Sequence, residues 1–424
     1  MNEFSLLFLL VLFLGVGVEL WLGWRQDRSV RQHRNRVPKA FAGQIPLQAH
    51  QKAADYTRAR LSLSRWQILL STLLVLAWTL AGGLEVVASL LASTRLEPLW
   101  SGTAIVFAVL LINGLIELPL DVWSTFGIEQ RFGFNRSSPA RFLRDKLLQA
   151  LLLLLLGTPI LLAILWLMQI GGDTWWLLAW GVWMAFTLLL TWIYPSWIAP
   201  LFNRFEPLPE GPLKQRLERL LSKCDFENRG MYVMDGSTRS SHGNAYFTGF
   251  GRNRRIVFFD TLLEGLDEAQ VEAVLAHELG HFKRRHVLKR LLLSALMSLG
   301  GLALLGWLAR QDWFYTGLGV ETQSPATALV LFLLVTPAFM LFVSPLLSQL
   351  SRRHEFEADA FAAQQSSAQA LVDGLLRMYR DNASTLTPDR LYSLFHYSHP
   401  PAAERIAHLL RRASSTDHPL TSPT

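Results

Sequence analysis

Residues 277–286 read HELGHFKRRH, three histidines and one glutamate in ten positions of a 424-residue chain that holds only 11 histidines. His277, Glu278 and His281 form H-E-x-x-H. On a helix, positions i and i+4 share a face, so two imidazoles at this spacing can hold one Zn²⁺. The glutamate between them can polarise a water on the metal and accept its proton. The pattern carries this meaning only within a helix. Residues 266–286, LDEAQVEAVLAHELGHFKRRH, have helical spacing, with Asp267 as N-cap or first-turn acid. Ala276, Leu279 and Gly280 give the motif small or apolar neighbours. The competing reading is a solvated helix with incidental histidines. His286 lies off the ligand face and reads as structural.

The motif runs straight into an apolar segment, and so does much of the chain. Hydrophobic residues make up 51% and charged residues 17%, against about 25% charged in soluble domains. The mean hydropathy is +0.25. A bilayer crossing needs about 20 apolar residues, and seven stretches qualify: approximately 3–24, 66–93, 99–123, 147–170, 174–199, 287–309 and 325–350. The first lacks a basic region before it and a small-residue cleavage site after it, so it reads as an uncleaved helix and not a signal peptide. Trp24, Trp66, Trp100, Trp175 and Trp197 near span ends suit an aromatic belt. No nucleic-acid-binding module accompanies the net charge of +7, and we expect no nucleic-acid partner. The single cysteine, Cys224, excludes an intramolecular disulfide and any CxxC motif.

The basic residues sort by loop. The loop after the first span carries Arg25, Arg28, Arg31, Arg34, Arg36, Lys39, Lys52, Arg58 and Arg60, and the loop after the third carries Arg131, Arg136, Arg141 and Arg144. Loops two, four and six are short or poor in Lys and Arg. The positive-inside rule then puts the N-terminus outside and loops one, three and five in the cytoplasm, with the C-terminal segment. Segments 200–286 and 351–424 therefore share a face. In the first, PLKQRLERLLSKC reads as a helix, RGMYVMDG as a strand, and NAYFTGF with RRIVFFD as a hairpin turning at 251–253. In the second, SRRHEFEADAFA (351–362) supplies candidates for the third ligand that a catalytic zinc needs. Glu355 and Asp359 share a helix face, one as ligand and the other orienting a ligand histidine. Glu357 rivals Glu355 on spacing alone, and His354 is a weaker candidate. Glu85, Glu117 and Asp121 lie in or at the ends of spans, where carboxylates face protein or water; for Glu117 and Asp121 an interfacial position is an equal reading.

These residues resemble the M48 family of zinc metalloproteases, in its CAAX prenyl protease 1 (Ste24-type) branch, over nearly the whole chain. HELGHFKRRH matches the family's zinc helix, and EFEADAFA its E-x-x-x-D helix. DGSTRSSHGNAYFTGFGRNRRIVFFDTLL resembles the preceding strand pair, and FHYSHPPAAERI the C-terminal motif. GIEQRFGFNRSS and IAPLFNRFEPLPEGPLK resemble the N-terminal membrane region, and seven spans fit this branch better than the shorter HtpX-type relatives. The resemblance implies an all-α polytopic membrane protein. Seven transmembrane helices would form a barrel around a large water-filled chamber, with a small α/β zincin-like metalloprotease portion in the cytoplasm. We expect residues 1–205 to hold five spans, 206–412 to be the peptidase domain with two more, and 413–424 to be a disordered tail.

The resemblance also implies one Zn²⁺ per chain on His277, His281 and Glu355, Glu278 as base, and Asp359 orienting a ligand. His399, in YSHPP, resembles the family residue proposed to stabilise the oxyanion, and Arg405 helps position the site. Asn244 can hydrogen-bond substrate backbone, while the strand from Ala245 and Tyr246 onward pairs with an extended peptide. The expected activity is a metalloendopeptidase in the cell (inner) membrane acting on peptides or proteins, lipidated or membrane-associated. The C-terminal LTSPT lacks an endoplasmic-reticulum retrieval signal, and the Leu- and Trp-rich chain suggests a bacterial member. Turnover of membrane proteins or peptides is then a fitting task. The alternatives are a scaffold or channel with a structural or vestigial zinc site, and a zinc-dependent amidase or esterase. A closed structural site would have no need of Glu278.

Overall fold

The computed structural model describes residues 2–227, 230–248 and 254–416. Six helices are long and apolar enough to cross a membrane, or seven if the bent pair Pro325–Met340 and Ser344–Gln365 is counted as one span. Several outrun the bilayer. Glu3–His33 and Leu47–Trp78 have 31 and 32 residues, about 46–48 Å at 1.5 Å per residue, against about 30 Å of hydrocarbon. Their polar ends become struts outside the membrane. Arg25, at the end of the first, holds Asp389 through two bonds of 3.1 and 2.9 Å. Leucines such as Leu10, Leu111 and Leu155 face outward, as lipid-contacting positions do.

The ends sort into two groups. Asn2 donates to the Trp313 carbonyl (2.8 Å), Arg310 pairs with Asp173 (2.7 Å), and Glu85 accepts from the Glu321 and Thr322 amides (2.9 Å each). The N-terminus and loops two, four and six therefore meet at one end, and loops one, three and five at the other with the C-terminal segment. Glu85 staples the loop at Glu321 and Thr322 at the first of these ends. Glu117 and Asp121 do border a polar cavity, with Ser64, Gln67 and Ser71, and Asp121 pairs with Lys146 (2.5 Å).

Two expected spans are not single helices. The stretch 66–93 breaks after Trp78 and resumes as Gly83–Ala92. Gly82 sits at φ +78°, and a Cβ on Gly83 would lie 2.6 Å from the Ala77 carbonyl oxygen, so the turn needs both glycines. The stretch 325–350 bends by 68°. Pro345 has no N–H for the Leu341 carbonyl, which accepts from the Ser344 amide instead (3.3 Å). The new helix runs unbroken to Gln365, carrying Glu355 and Asp359.

Outside the membrane a four-stranded sheet has the order β1-β2-β4-β3, with β1 Phe205–Pro207, β2 Met231–Met234, β3 Ala245–Thr248 and β4 Arg255–Phe259. β1, too short to read from sequence, is antiparallel to β2, β2 is parallel to β4, and β4 is antiparallel to β3. The expected turn at 251–253 lies outside the described residues. The helix Pro212–Lys223 buries Leu217, Leu220 and Leu221 against the core that the sheet shares with Phe258, Leu275 and Leu409. The last helix runs to Thr416, past the expected start of the tail; residues 417–424 lie outside the described residues.

Candidate metal centre

The helix Glu268–Lys283 starts at Asp267, whose side chain caps the Gln270 amide while Gln270 caps Asp267 in return. It packs along Ser344–Gln365. Gly280 sets the spacing: a Cβ there would lie 2.8 Å from the Ala358 Cα and 3.0 Å from its carbonyl oxygen. Only glycine lets the two backbones approach this closely. The expected single helix 266–286 ends at Lys283, and a second begins at His286 after Arg285 at φ +56°.

Across this contact His277, His281 and Glu355 place one ligand atom each within 4.8 Å of one another. His277 Nε2 and His281 Nε2 are 3.2 Å apart. Glu355 Oε1 is 3.2 Å from His281 Nε2, and Oε2 is 3.5 Å from His277 Nε2. Ligands about 2.0–2.2 Å from a tetrahedral Zn²⁺ would stand about 3.3–3.6 Å apart. Glu355 Oε2 is buried without a hydrogen-bond partner, an arrangement costly unless a cation fills it. The donor set therefore fits zinc. Glu357 and His354 do not join the cluster.

Behind the cluster, His277 Nδ1 donates to Asp359 Oδ1 (2.8 Å), which leaves Nε2 for the metal. Arg405 grips Asp359 in a bidentate pair, both bonds 2.7 Å. Its Nη2 also lies 3.0 Å from His277 Nδ1; both are donors, and Asp359 accepts from both. Burial and the Arg405 charge push the His277 imidazole down, but the hydrogen bond to Asp359 and the neighbouring Glu355 carboxylate outweigh them and raise it to about 9.

A cavity of about 530 Å³ opens on this cluster, lined by Asn244, Ala245, His277, Glu278, Glu355, His399 and Arg405 among others. Glu278 makes no hydrogen bond or ion pair among the described residues, and burial raises its carboxyl above the ordinary value. His399, its side chain 64% exposed, holds Nε2 3.5 Å from Glu355 Oε1. β3 is the sheet's edge, with its outer side unpaired among the described residues. Phe259 N donates to the Asn244 carbonyl (2.9 Å), so antiparallel alternation turns the amides and carbonyls of Ala245 and Phe247 outward. Asn244 Oδ1 accepts from the Ala245 amide (2.8 Å). Tyr246 is a correction: its backbone faces β4, and its side chain lies by Met234 and Phe259, away from the cavity.

Sequence reasoning missed Tyr379, Tyr56 and Arg60, which also line the cavity. Tyr379 sits beside Arg405 and burial raises its phenol. Tyr56 and Arg60 border a second cavity of about 470 Å³ with Glu129, Lys146 and His242, which extends the polar space towards the spans. None of the three has a local signature; each reaches the site through tertiary packing.

Comparison with known proteins agrees along the chain. Residues 26–204 match the CAAX prenyl protease N-terminal family with five membrane helices, and residues 207–413 match peptidase family M48. The chain is 38% identical over 307 residues to the CAAX prenyl protease 1 homolog of Arabidopsis thaliana, covering 72% of each. It is 34% identical to the Oryza sativa subsp. japonica homolog (96% of each) and 32% identical to the Homo sapiens homolog (92% of this chain, 91% of that one). The crystal structure of S. mikatae Ste24p superposes with a TM-score of 0.90 at 27% identity, covering 96% of this chain and 99% of that one. Spanning the membrane several times and carrying both halves of that architecture, the chain belongs to the M48 peptidases, as a membrane metalloprotease of the CAAX prenyl protease (Ste24) type.

Proposed function

We propose that His277, His281 and Glu355 hold one zinc ion and that Glu278 is the general base of peptide hydrolysis. One observation carries this reading: three ligand atoms within 4.8 Å, with an unpaired glutamate beside them in the same cavity. Bound there, zinc would acidify a water and polarise the scissile carbonyl. Glu278 takes the water's proton and passes it to the leaving amine. His399 donates a hydrogen bond to the oxyanion. The outward Ala245 carbonyl and the outward amide and carbonyl of Phe247 hold the substrate extended, with Asn244, whose Oδ1 takes the Ala245 amide, contacting its backbone. Backbone pairing of this kind asks little of the substrate's sequence.

We place the protein in the cell membrane with the site on the cytoplasmic side, because the end bearing the site also carries the basic loops. The names of its relatives point to prenylated C-terminal peptides as substrates, and turnover of other membrane peptides fits the same geometry. The test uses purified full-length protein, wild type and Glu278→Gln, on one C-terminal Cys-containing peptide with and without its isoprenoid. Wild type is expected to cleave and the variant to keep zinc without cleaving. Equal cleavage by both proteins would remove Glu278 from the mechanism. Equal rates on both peptides would remove prenylation from the substrate definition.

A further inference from the structure

Of the acidic run on Ser344–Gln365, Glu355 and Asp359 serve the metal centre directly, and Glu357 points elsewhere. The partner it finds is His286. On one continuous helix His281 and His286 would point about 140° apart. The left-handed turn at Arg285 breaks the helix and brings His286 back, so that its Nδ1 lies 3.0 Å from His281 Nδ1. Arginine rarely adopts this conformation, and its result here is that contact.

The hydrogens then have one arrangement. With its Nε2 given to the metal, His281 can carry a hydrogen only on Nδ1, which then donates to His286 Nδ1. His286 therefore carries its hydrogen on Nε2 and donates to Glu357 Oε2 at 3.0 Å. The His286 ring is fully buried and stacks on His354, with centroids 4.1 Å apart and planes 14° from parallel. Both candidate ligand imidazoles are thus held from behind by the same helix. Asp359 holds His277 directly, and Glu357 holds His281 through His286.

We propose that His286 and Glu357 are positioning residues of the metal centre, forming a relay that fixes the tautomer and ring plane of His281. The relay rests on reading His281 as a ligand. A ligand imidazole that loses its hydrogen-bonded partner typically weakens metal binding by about 10- to 100-fold.

The test is zinc affinity of the full-length protein in detergent, by chelator competition, together with the visible spectrum of the Co²⁺-substituted form. His286→Phe keeps the stacking ring and removes both nitrogens; it is expected to weaken zinc by about 10- to 100-fold and to shift the Co²⁺ bands. His286→Gln, which can accept and donate through its amide, is expected to recover part of the loss. Glu357→Gln is expected to weaken zinc less than His286→Phe, while Lys289→Met, which alters the same carboxylate's surroundings (3.9 Å), leaves affinity unchanged. Wild-type affinity and spectrum in His286→Phe overturn the relay. Should that variant not fold, the half-exposed Glu357→Gln decides, and unchanged affinity there overturns it. His281→Ala separates the two readings. If it keeps zinc, the ligand assignment itself fails; if it loses zinc while the relay variants do not, only the relay fails.

Discussion

Replacing Gly280 with alanine adds one methyl group where the two helices of the metal centre touch. Its Cβ would meet the Ala358 Cα at 2.8 Å, the Ala358 oxygen at 3.0 Å and the Phe361 Cβ at 3.2 Å. Carbon atoms pack at about 3.5–4.0 Å, so the helices must part by roughly 1 Å. Two of the three obstructing atoms are backbone and cannot rotate away. Overpacking of this kind costs about 1–3 kcal/mol, while alanine gains about 1 kcal/mol over glycine in helix propensity. The net is a loss of about 0–2 kcal/mol, a range that includes no change, so melting temperature is a poor readout. The gap between His277, His281 and Glu355 is a better one, because a 1 Å misplacement costs about 100-fold in rate. We expect Gly280→Ala to lower kcat/KM about 100-fold and to weaken zinc in chelator competition, with membrane insertion intact. Ala358→Gly leaves the obstructing backbone in place and should not rescue it. A Gly280→Ala protein with wild-type zinc affinity and turnover would refute the claim that this contact sets the site.

Glu278→Gln should keep zinc content and lose about 10²- to 10⁴-fold in kcat, the usual range for a general base, read by metal analysis beside a peptide assay. Arg405→Met leaves the fully buried Asp359 carboxylate with His277 as its remaining partner among the described residues, and removing one partner of a buried pair costs about 3–5 kcal/mol; denaturant unfolding checks this. Zinc loading at pH 7.5 should release a proton from His277, which is raised to about 9 in the metal-free protein. Apparent zinc affinity then rises with pH and levels off near 9, and calorimetry in buffers of different ionisation enthalpy would show no buffer dependence if no proton is released.

What was legible in the sequence is what short spacing encodes. The i, i+4 histidines, the E-x-x-x-D spacing, the seven apolar stretches and the hairpin depend on neighbours within a few residues. Breaks in helices were harder. Ala81, Gly82 and Gly83 interrupt a run whose hydropathy alone looks continuous, and the bend at 341–343 lies inside an apolar stretch. Arg285 gives no local sign that it will turn left-handed. Tyr246 was misplaced because strand alternation is phased by the Phe259–Asn244 bond, a tertiary contact with no local signal. Gly280 looked like a small filler; its role depends on the backbone of Ala358, far along the chain.

That last dependence shows how the membrane fold serves the chemistry. The helix bearing His277 and His281 leads through Arg285 into the span His286–Leu308. The helix bearing Glu355 emerges from the span Pro325–Met340 through the bend at Pro345. Both halves of the candidate metal centre are thus extensions of membrane-embedded helices, joined by the contact at Gly280 and by the Arg405–Asp359–His277 clamp. The polar-phase core beneath the sheet supports one half and the packed spans fix the other. A soluble fragment of residues 200–286 would keep the two histidines and their helix but lack Glu355, Asp359 and Arg405. With two of the three proposed ligands and neither brace, it should bind zinc weakly and cleave nothing, so the proposed activity belongs to the membrane-embedded chain as a whole.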